Sequence, residues 1–126
     1  EAYFDETCKR AGLGCRTTIP DETDPIPQAL AIALFRVGQE SLTNIIRHAR
    51  ARNVVMSFEV GAAGYHLSVG DDGIGMDPER SRVSHGLSGM RHRVVSLNGS
   101  FEIQSEPGMG TRLDVLVPFA QPVPDA

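Results

Sequence analysis

Small or apolar residues recur at three- and four-residue steps through Leu30, Leu34, Val37, Ser41, Ile45 and Ala49. That stripe predicts one long helix over residues 27–51, with Asn53 breaking it. At 1.5 Å per residue such a helix is about 38 Å long. Beyond it the period changes. Residues 54–60 and 65–69 are alternating apolar segments joined by Gly61-Ala62-Ala63-Gly64, the pattern of a β-hairpin. Residues 70–85 are rich in glycine and charge without clean periodicity, and read as loop. Helical spacing returns over residues 87–97, with Leu87, Met90, Val94 and Leu97 on one face and Asn98-Gly99 as the stop. Residues 101–104 and 113–117 predict two more strands about a Pro107-Gly108-Met109-Gly110 turn. At the start of the chain, residues 2–11 look helical with Gly12 as the stop. Residues 15–19 form a short β-branched strand that ends at Pro20, and 21–27 read as loop. The sum is about five strands and three helices. Strands that come mostly in hairpins leave one face for the helices, so the expected fold is an α/β two-layer sandwich with a mixed, mostly antiparallel sheet.

Composition narrows the function classes. The chain has 126 residues, of which 40% are hydrophobic, enough for one domain with one core. Twelve basic residues against sixteen acidic ones give a net charge of −4, which argues against direct nucleic-acid binding. No run approaches the ~18 apolar residues of a membrane span, so no membrane contact by this domain is expected. The two cysteines, Cys8 and Cys15, lack metal-ligand spacing and read as reduced thiols in a cytoplasmic domain. The chain starts without Met and within a helical stretch, which reads as a domain cut from a longer protein. The domain is taken as residues 1–118, with 119–126 as a tail.

Four clusters carry candidate chemistry. Glu40, Asn44 and His48 stand at four-residue intervals on the long helix and share a face. An amide oxygen such as that of Asn44 is a hard donor suited to Mg²⁺, which takes few protein ligands and keeps waters and phosphates. The carboxylate of Glu40, one turn earlier, is placed to polarise a nucleophile. The same residues also suit a plain solvated helix face. Asp71-Asp72-Gly73-Ile74-Gly75 follows a strand. There a carboxylate beside glycine-opened backbone can accept from an adenine amino group, or simply shape a turn. His85-Gly86-Leu87-Ser88-Gly89-Met90 opens a helix whose free N–H groups suit phosphate. A glycine-rich helix entry without ligand is the alternative, and no Walker loop is present. Gly108-Met109-Gly110-Thr111 joins two strands, with Thr111 either beside Asp71 or just starting a strand. His66 reads as a solvent-facing strand residue.

All four clusters, in this order, resemble the N box and three glycine boxes of sensor histidine kinases. Residues 35–49 carry the N box, and the likeness spans about residues 1–118. The wording around the N box and the helix after Gly86 is most similar to the subclass that works with NarL/LuxR-type response regulators. The resemblance implies a Bergerat ATP-binding fold using ATP and Mg²⁺. It makes Asn44 the metal ligand and Glu40 the residue assisting phosphoryl transfer. It makes Asp71 the adenine-binding carboxylate, helped by Thr111. The implied nucleotide pocket comprises Asn44, His48, Asp71, Gly73, Gly75, Met76, His85, Gly86, Leu87, Ser88, Gly89, Met90, Gly108, Gly110 and Thr111, with residues 77–85 as a lid. Ser84 stands where the family often has glycine. The phosphoacceptor histidine belongs to a dimerisation domain that would precede residue 1, and the phosphoryl group would pass on to a response regulator. A degenerate nucleotide-binding regulatory module and an anti-sigma-type serine kinase share the fold and are the alternatives.

Overall fold

The computed structural model describes residues 2–18, 26–75 and 87–119. In chain order the elements are α1 (Ala2–Arg10), β1 (Gly14–Thr18), α2 (Gln28–Asn44) continued by a π-helical turn (Ile45–Ala49), β2 (Asn53–Val60), β3 (Gly64–Asp71), α3 (Leu87–Val95), β4 (Ser100–Ser105) and β5 (Thr111–Pro118). The five strands form one sheet in the order β1-β2-β3-β5-β4. β1 and β2 run parallel, which requires a crossover, and α2 supplies it. The other three pairings are antiparallel. The expected two-layer sandwich with a mixed sheet is the fold observed.

Strand parity decides what faces the helices. Registers place Val54, Met56 and Phe58 of β2 beside Asp71, Val69 and Leu67 of β3, and these beside Thr111, Leu113 and Val115 of β5. Ser105, Ile103 and Phe101 of β4 complete the rows. Their apolar members join the core with Leu30, Leu34, Val37, Ile45 and Ala49, the stripe expected from the sequence. Val37, Leu42, Val54, Met90, Val94 and Val115 are almost wholly sealed from water. Each such side chain contributes ~1.5–3 kcal/mol relative to exposure. Cys8 is buried in the same core and Cys15 packs against it, both as free thiols. Burial, with Cys15 alongside, pushes the Cys8 thiol up to about 12.

Four local details differ from expectation. Asn53 does not break the long helix but begins β2. The helix ends at Ala49, and Arg50 turns left-handed at φ 51°. Its last turn is π-helical, a form common at functional sites. A π turn needs more residues per revolution than an α turn, so His48 falls behind the face that Glu40 and Asn44 share. Asp71 is the last residue of β3 rather than the first of a loop. α3 stops at Val95, and Asn98 at φ 62° completes the predicted exit. Among the described residues no helix is long and apolar enough to cross a membrane. Met76, His85, Gly86, the lid over 77–85 with Ser84, and residues 120–126 of the tail lie outside the described residues.

Candidate functional site

At one end of the sheet, on the helix-facing side, Ser105, Thr111 and Asp71 form a polar row across β4, β5 and β3. Asp71 Oδ1 accepts from the Gly73 backbone N–H at 2.7 Å. Burial raises the Asp71 carboxyl above its ordinary value. Backbone hydrogen bonds from Gly73 and Thr111 pull the other way without cancelling it, and neighbouring Asp72 adds to the rise. The fold therefore holds a half-buried carboxylate with acceptor capacity left over, the property expected of a ligand-binding group. Ser105 Oγ lies 2.8 Å from Thr111 Oγ1 and donates to the Gly110 carbonyl at 3.1 Å.

Three glycines let separate chain segments meet behind this row. A Cβ on Gly73 would stand 2.1 Å from the Ala49 carbonyl oxygen. A Cβ on Gly110 would stand 2.2 Å from the Asp71 carbonyl oxygen, and Gly110 is also left-handed at φ 80°. Gly75, at φ 76°, packs equally close to the Glu106 carbonyl. Two hydrogen bonds fasten the segments. Ile74 N–H donates to Ala49 O at 2.7 Å, and Gly108 N–H donates to Ile74 O at 2.6 Å. Gly108 is left-handed at φ 81° with open space around it.

The first of these bonds ties the end of the long helix to the Asp71 loop. A second tie lies further up the helix, where buried Ser41 meets Met90 of α3 with Oγ and Sδ 3.8 Å apart. Asn44 sits between these anchors along the helix, with its side chain almost fully buried. A carboxamide oxygen is a hard donor of the kind Mg²⁺ accepts. Glu40 is exposed one turn before it, and His48 is exposed on the π turn. Leu87 and Ser88 occupy the first turn of α3. Gly89 is exposed, and a Cβ there would meet nothing within 4 Å among the described residues. Packing thus does not require glycine at this position, whereas it does at 73, 75 and 110. Met90 is 1% exposed and seats α3 in the core.

Sequence reasoning passed over two residues. Ser105 lies between motifs, and only the β4–β5 register brings it to Thr111. Asp72 was read as part of a turn, yet it is a clamp. Its Oδ1 accepts from the backbone N–H of Arg52 at 2.8 Å and of Asn53 at 2.9 Å, and its Oδ2 accepts from Asn53 Nδ2 at 2.8 Å. These bonds, Asn53's first, lower its pKa to about 2. A carboxylate directly after an Asp and before Gly, facing the start of the adjacent strand, was the available signal.

A hollow of about 980 Å³ also borders this end of the sheet, reaching Asp71, Gly110 and Thr111. Its walls are mainly outward-facing residues, among them Val55, Ser57, Ser68 and Arg112. The row on the helix side is the better candidate site, because it combines the half-buried carboxylate, the glycine-opened backbone and the tie to the helix that bears Asn44.

Known proteins resemble this chain in sequence and in fold. The protein-family model described as "Histidine kinase-, DNA gyrase B-, and HSP90-like ATPase" matches residues 29–121. The signal transduction histidine-protein kinase/phosphatase DegS of Brevibacillus brevis is 37% identical over 94 residues, covering 74% of this chain and 24% of that protein. UhpB of Salmonella typhimurium, of the same description, is 38% identical over 98 residues, covering 78% and 19% respectively. The chain therefore spans about a quarter or less of these relatives. The histidine kinase AdeS of Acinetobacter baumannii superposes with a TM-score of 0.76 over 95% of this chain and 61% of that one, at 18% identity, and so shares the fold.

Proposed function

From the premise that this chain belongs to the histidine kinase-, DNA gyrase B-, and HSP90-like ATPase family, we propose that it is the ATP-binding catalytic domain of a sensor histidine kinase. It holds Mg-ATP and presents the γ-phosphoryl group to a histidine on a dimerisation and phosphoacceptor domain of the same protein. The phosphoryl group then goes to a response regulator of the NarL/LuxR type, and the domain works in the cytoplasm. The observation that carries the reading is the Asp71–Thr111–Ser105 row joined through Ala49 and Ile74 to the helix bearing Asn44.

Each group has a part consistent with its surroundings. Asp71 accepts from the adenine amino group with the acceptor capacity that Gly73 leaves over. Thr111 supports it from the neighbouring strand. The start of α3 offers free N–H groups to the phosphates, and the open space at Gly89 allows close approach. Among the described residues no cluster of His, Cys, Asp or Glu is arranged to hold a metal alone. The donor set instead fits Mg²⁺ carried in on phosphates, with the buried Asn44 amide as its protein ligand. When bound, that ion neutralises phosphate charge. Glu40, exposed one turn before Asn44, orients the incoming histidine. Catalysis is then mainly positioning in an electrostatically prepared site.

Calorimetry with Mg-ADP tests the reading. The chain should bind, and Asp71→Asn, which keeps an oxygen for Gly73 but turns acceptor capacity into a donor, should bind far more weakly. Absence of heat with the wild-type chain would instead favour a degenerate module acting through partner contacts. Incubated alone with γ-labelled ATP, the chain should remain unlabelled, since the acceptor lies on another domain. Label on the chain itself contradicts that division of labour.

A further inference from the structure

We infer that Cys8 and Cys15 are a dithiol pair placed to close into a disulfide when the chain meets a peroxide, locking α1 onto the edge strand β1. The inference does not depend on nucleotide binding. The pairing follows from how α1 ends. Gly12 is left-handed at φ 73°. Its N–H donates to Lys9 O at 3.2 Å, and Leu13 N–H donates to Cys8 O at 2.8 Å. Together these bonds make a Schellman exit, which reverses the chain sharply. The next strand therefore starts against the helical turn that carries Cys8. Side chains alternate along a strand, so Cys15 and Thr17 share one face. Both are partly buried, while Gly14, Arg16 and Thr18 are exposed. Thr17 Oγ1 donates to Asp5 Oδ1 at 3.1 Å, about one turn before Cys8. Cys15 thus lies between two ties to α1, at Leu13 and at Thr17. Its thiol is a side-chain hydrogen-bonding neighbour of the Cys8 thiol.

The two thiols differ in access, and that sets the order of events. Cys8 is 1% exposed, whereas Cys15 is only partly buried, on the edge strand. Burial, then Cys15 beside it, pushes the Cys8 thiol up to about 12, so Cys8 stays protonated and does not begin the reaction. Cys15 begins it. With hydrogen peroxide its sulfur forms an S–O bond as the O–O bond breaks, giving a sulfenic acid and one water. The Cys8 sulfur then attacks the Cys15 sulfur. An S–S bond forms, the S–OH bond breaks, and the Cys8 proton leaves with the hydroxide as a second water. Two thiols and one peroxide become one disulfide and two waters, and the electron pair lost by sulfur reduces the peroxide. The second step asks for little motion, because Cys8 already lies beside Cys15. The bond closes a ring from Cys8 to Cys15 and reinforces a junction whose Thr17–Asp5 hydrogen bond is exposed to water.

Hydrogen peroxide added to the folded 126-residue chain, with remaining thiols blocked before denaturation, reads the closure directly. The mass should fall by about 2 Da, the two hydrogens lost on closure. Trypsin cuts after Lys9, Arg10 and Arg16, so Cys8 and Cys15 leave on separate peptides, residues 1–9 and 11–16. After oxidation these peptides should run joined, and reduction should part them. Amides of α1 should exchange with solvent about tenfold more slowly in the oxidised chain, with those of β5 unchanged. In Cys8→Ala the sulfenic acid has no partner and should be captured at Cys15 by dimedone. In Cys15→Ala the buried Cys8 should take up almost none. If either variant does not fold, the wild-type peptide map still decides. Peptides that stay separate, or that join only between two chains, overturn the inference. Joined peptides with unchanged exchange in α1 overturn the locking of the helix.

Discussion

The two faces of the sheet treat their carboxylates in opposite ways. On the helix-facing side Asp71 is half-buried, and its carboxyl is raised above the ordinary range by burial. On the outer side Asp114 is pulled down. Partial burial works to raise it, but hydrogen bonds from His66, Arg112 and Ser68 outweigh that. His66 Nε2 lies 2.8 Å from Asp114 Oδ1, and Arg112 Nε donates to Oδ2 at 3.0 Å. Asp72, next to Asp71 but serving the start of β2, is lowered to about 2 by three bonds to Arg52 and Asn53. Consecutive residues of one strand end thus differ because strand parity sends them to different partners. A carboxylate whose acceptors are filled holds the fold. One left with capacity is available to a ligand.

The contrast can be broken experimentally. The largest expected effect is on binding: Asp71→Asn should weaken ADP by roughly a hundredfold or more, about 2.7 kcal/mol, with a melting temperature near that of wild type. Next comes Gly73→Ala. Its new Cβ would collide with the Ala49 carbonyl, and backbone cannot give way cheaply. A loss of ~3 kcal/mol in urea unfolding is expected.

Asp72→Ala should lower stability with the opposite pH signature to Asp71. The folded value of Asp72, about 2, lies below the ordinary 3.8, so its contribution is complete above 3.8 and disappears as pH falls through 2. Asp71 has a folded value above 3.8, so whatever stability it lends is complete below 3.8 and is lost as pH rises through the raised value. Thermal melts of wild type against each variant across acid pH should therefore diverge in opposite directions. Parallel curves would mean that the two carboxylates do not differ as described. The smallest effect belongs to Asp114→Asn. Its partly exposed ion pair with Arg112 should be worth about 1 kcal/mol or less, with nucleotide affinity unchanged.

Much of this architecture was legible in the chain. The stripe from Leu30 to Ala49 is the buried face of the helix because a three- and four-residue period survives any tertiary context that offers one core. The strand end at Asp71 was legible because a strand followed by glycines announces itself locally. What stayed hidden depends on partners distant in sequence. The π turn closes where Ala49's carbonyl is engaged by Ile74, and nothing in residues 45–49 foretells that bond. Ser105 gains its importance only from the β4–β5 register, and Asp72 only from the proximity of β2's first residues. Met90 fits both a glycine-box contact and a core position by spacing, and the structure shows it in the core.

The paired bonds Ile74 to Ala49 and Gly108 to Ile74 have a consequence in time. Each of the hairpins β2–β3 and β4–β5 pairs residues near in sequence, while these two bonds join the end of α2, the strand-end loop and the β4–β5 turn. Distant closures of that kind carry more chain entropy and come after local pairing. The pocket should therefore assemble last and open first, ahead of the sheet. Native-state hydrogen exchange would show it as Ile74 and Gly108 amides trading with solvent well before those of Leu67 and Val115, and bound nucleotide would slow the first pair far more than the second.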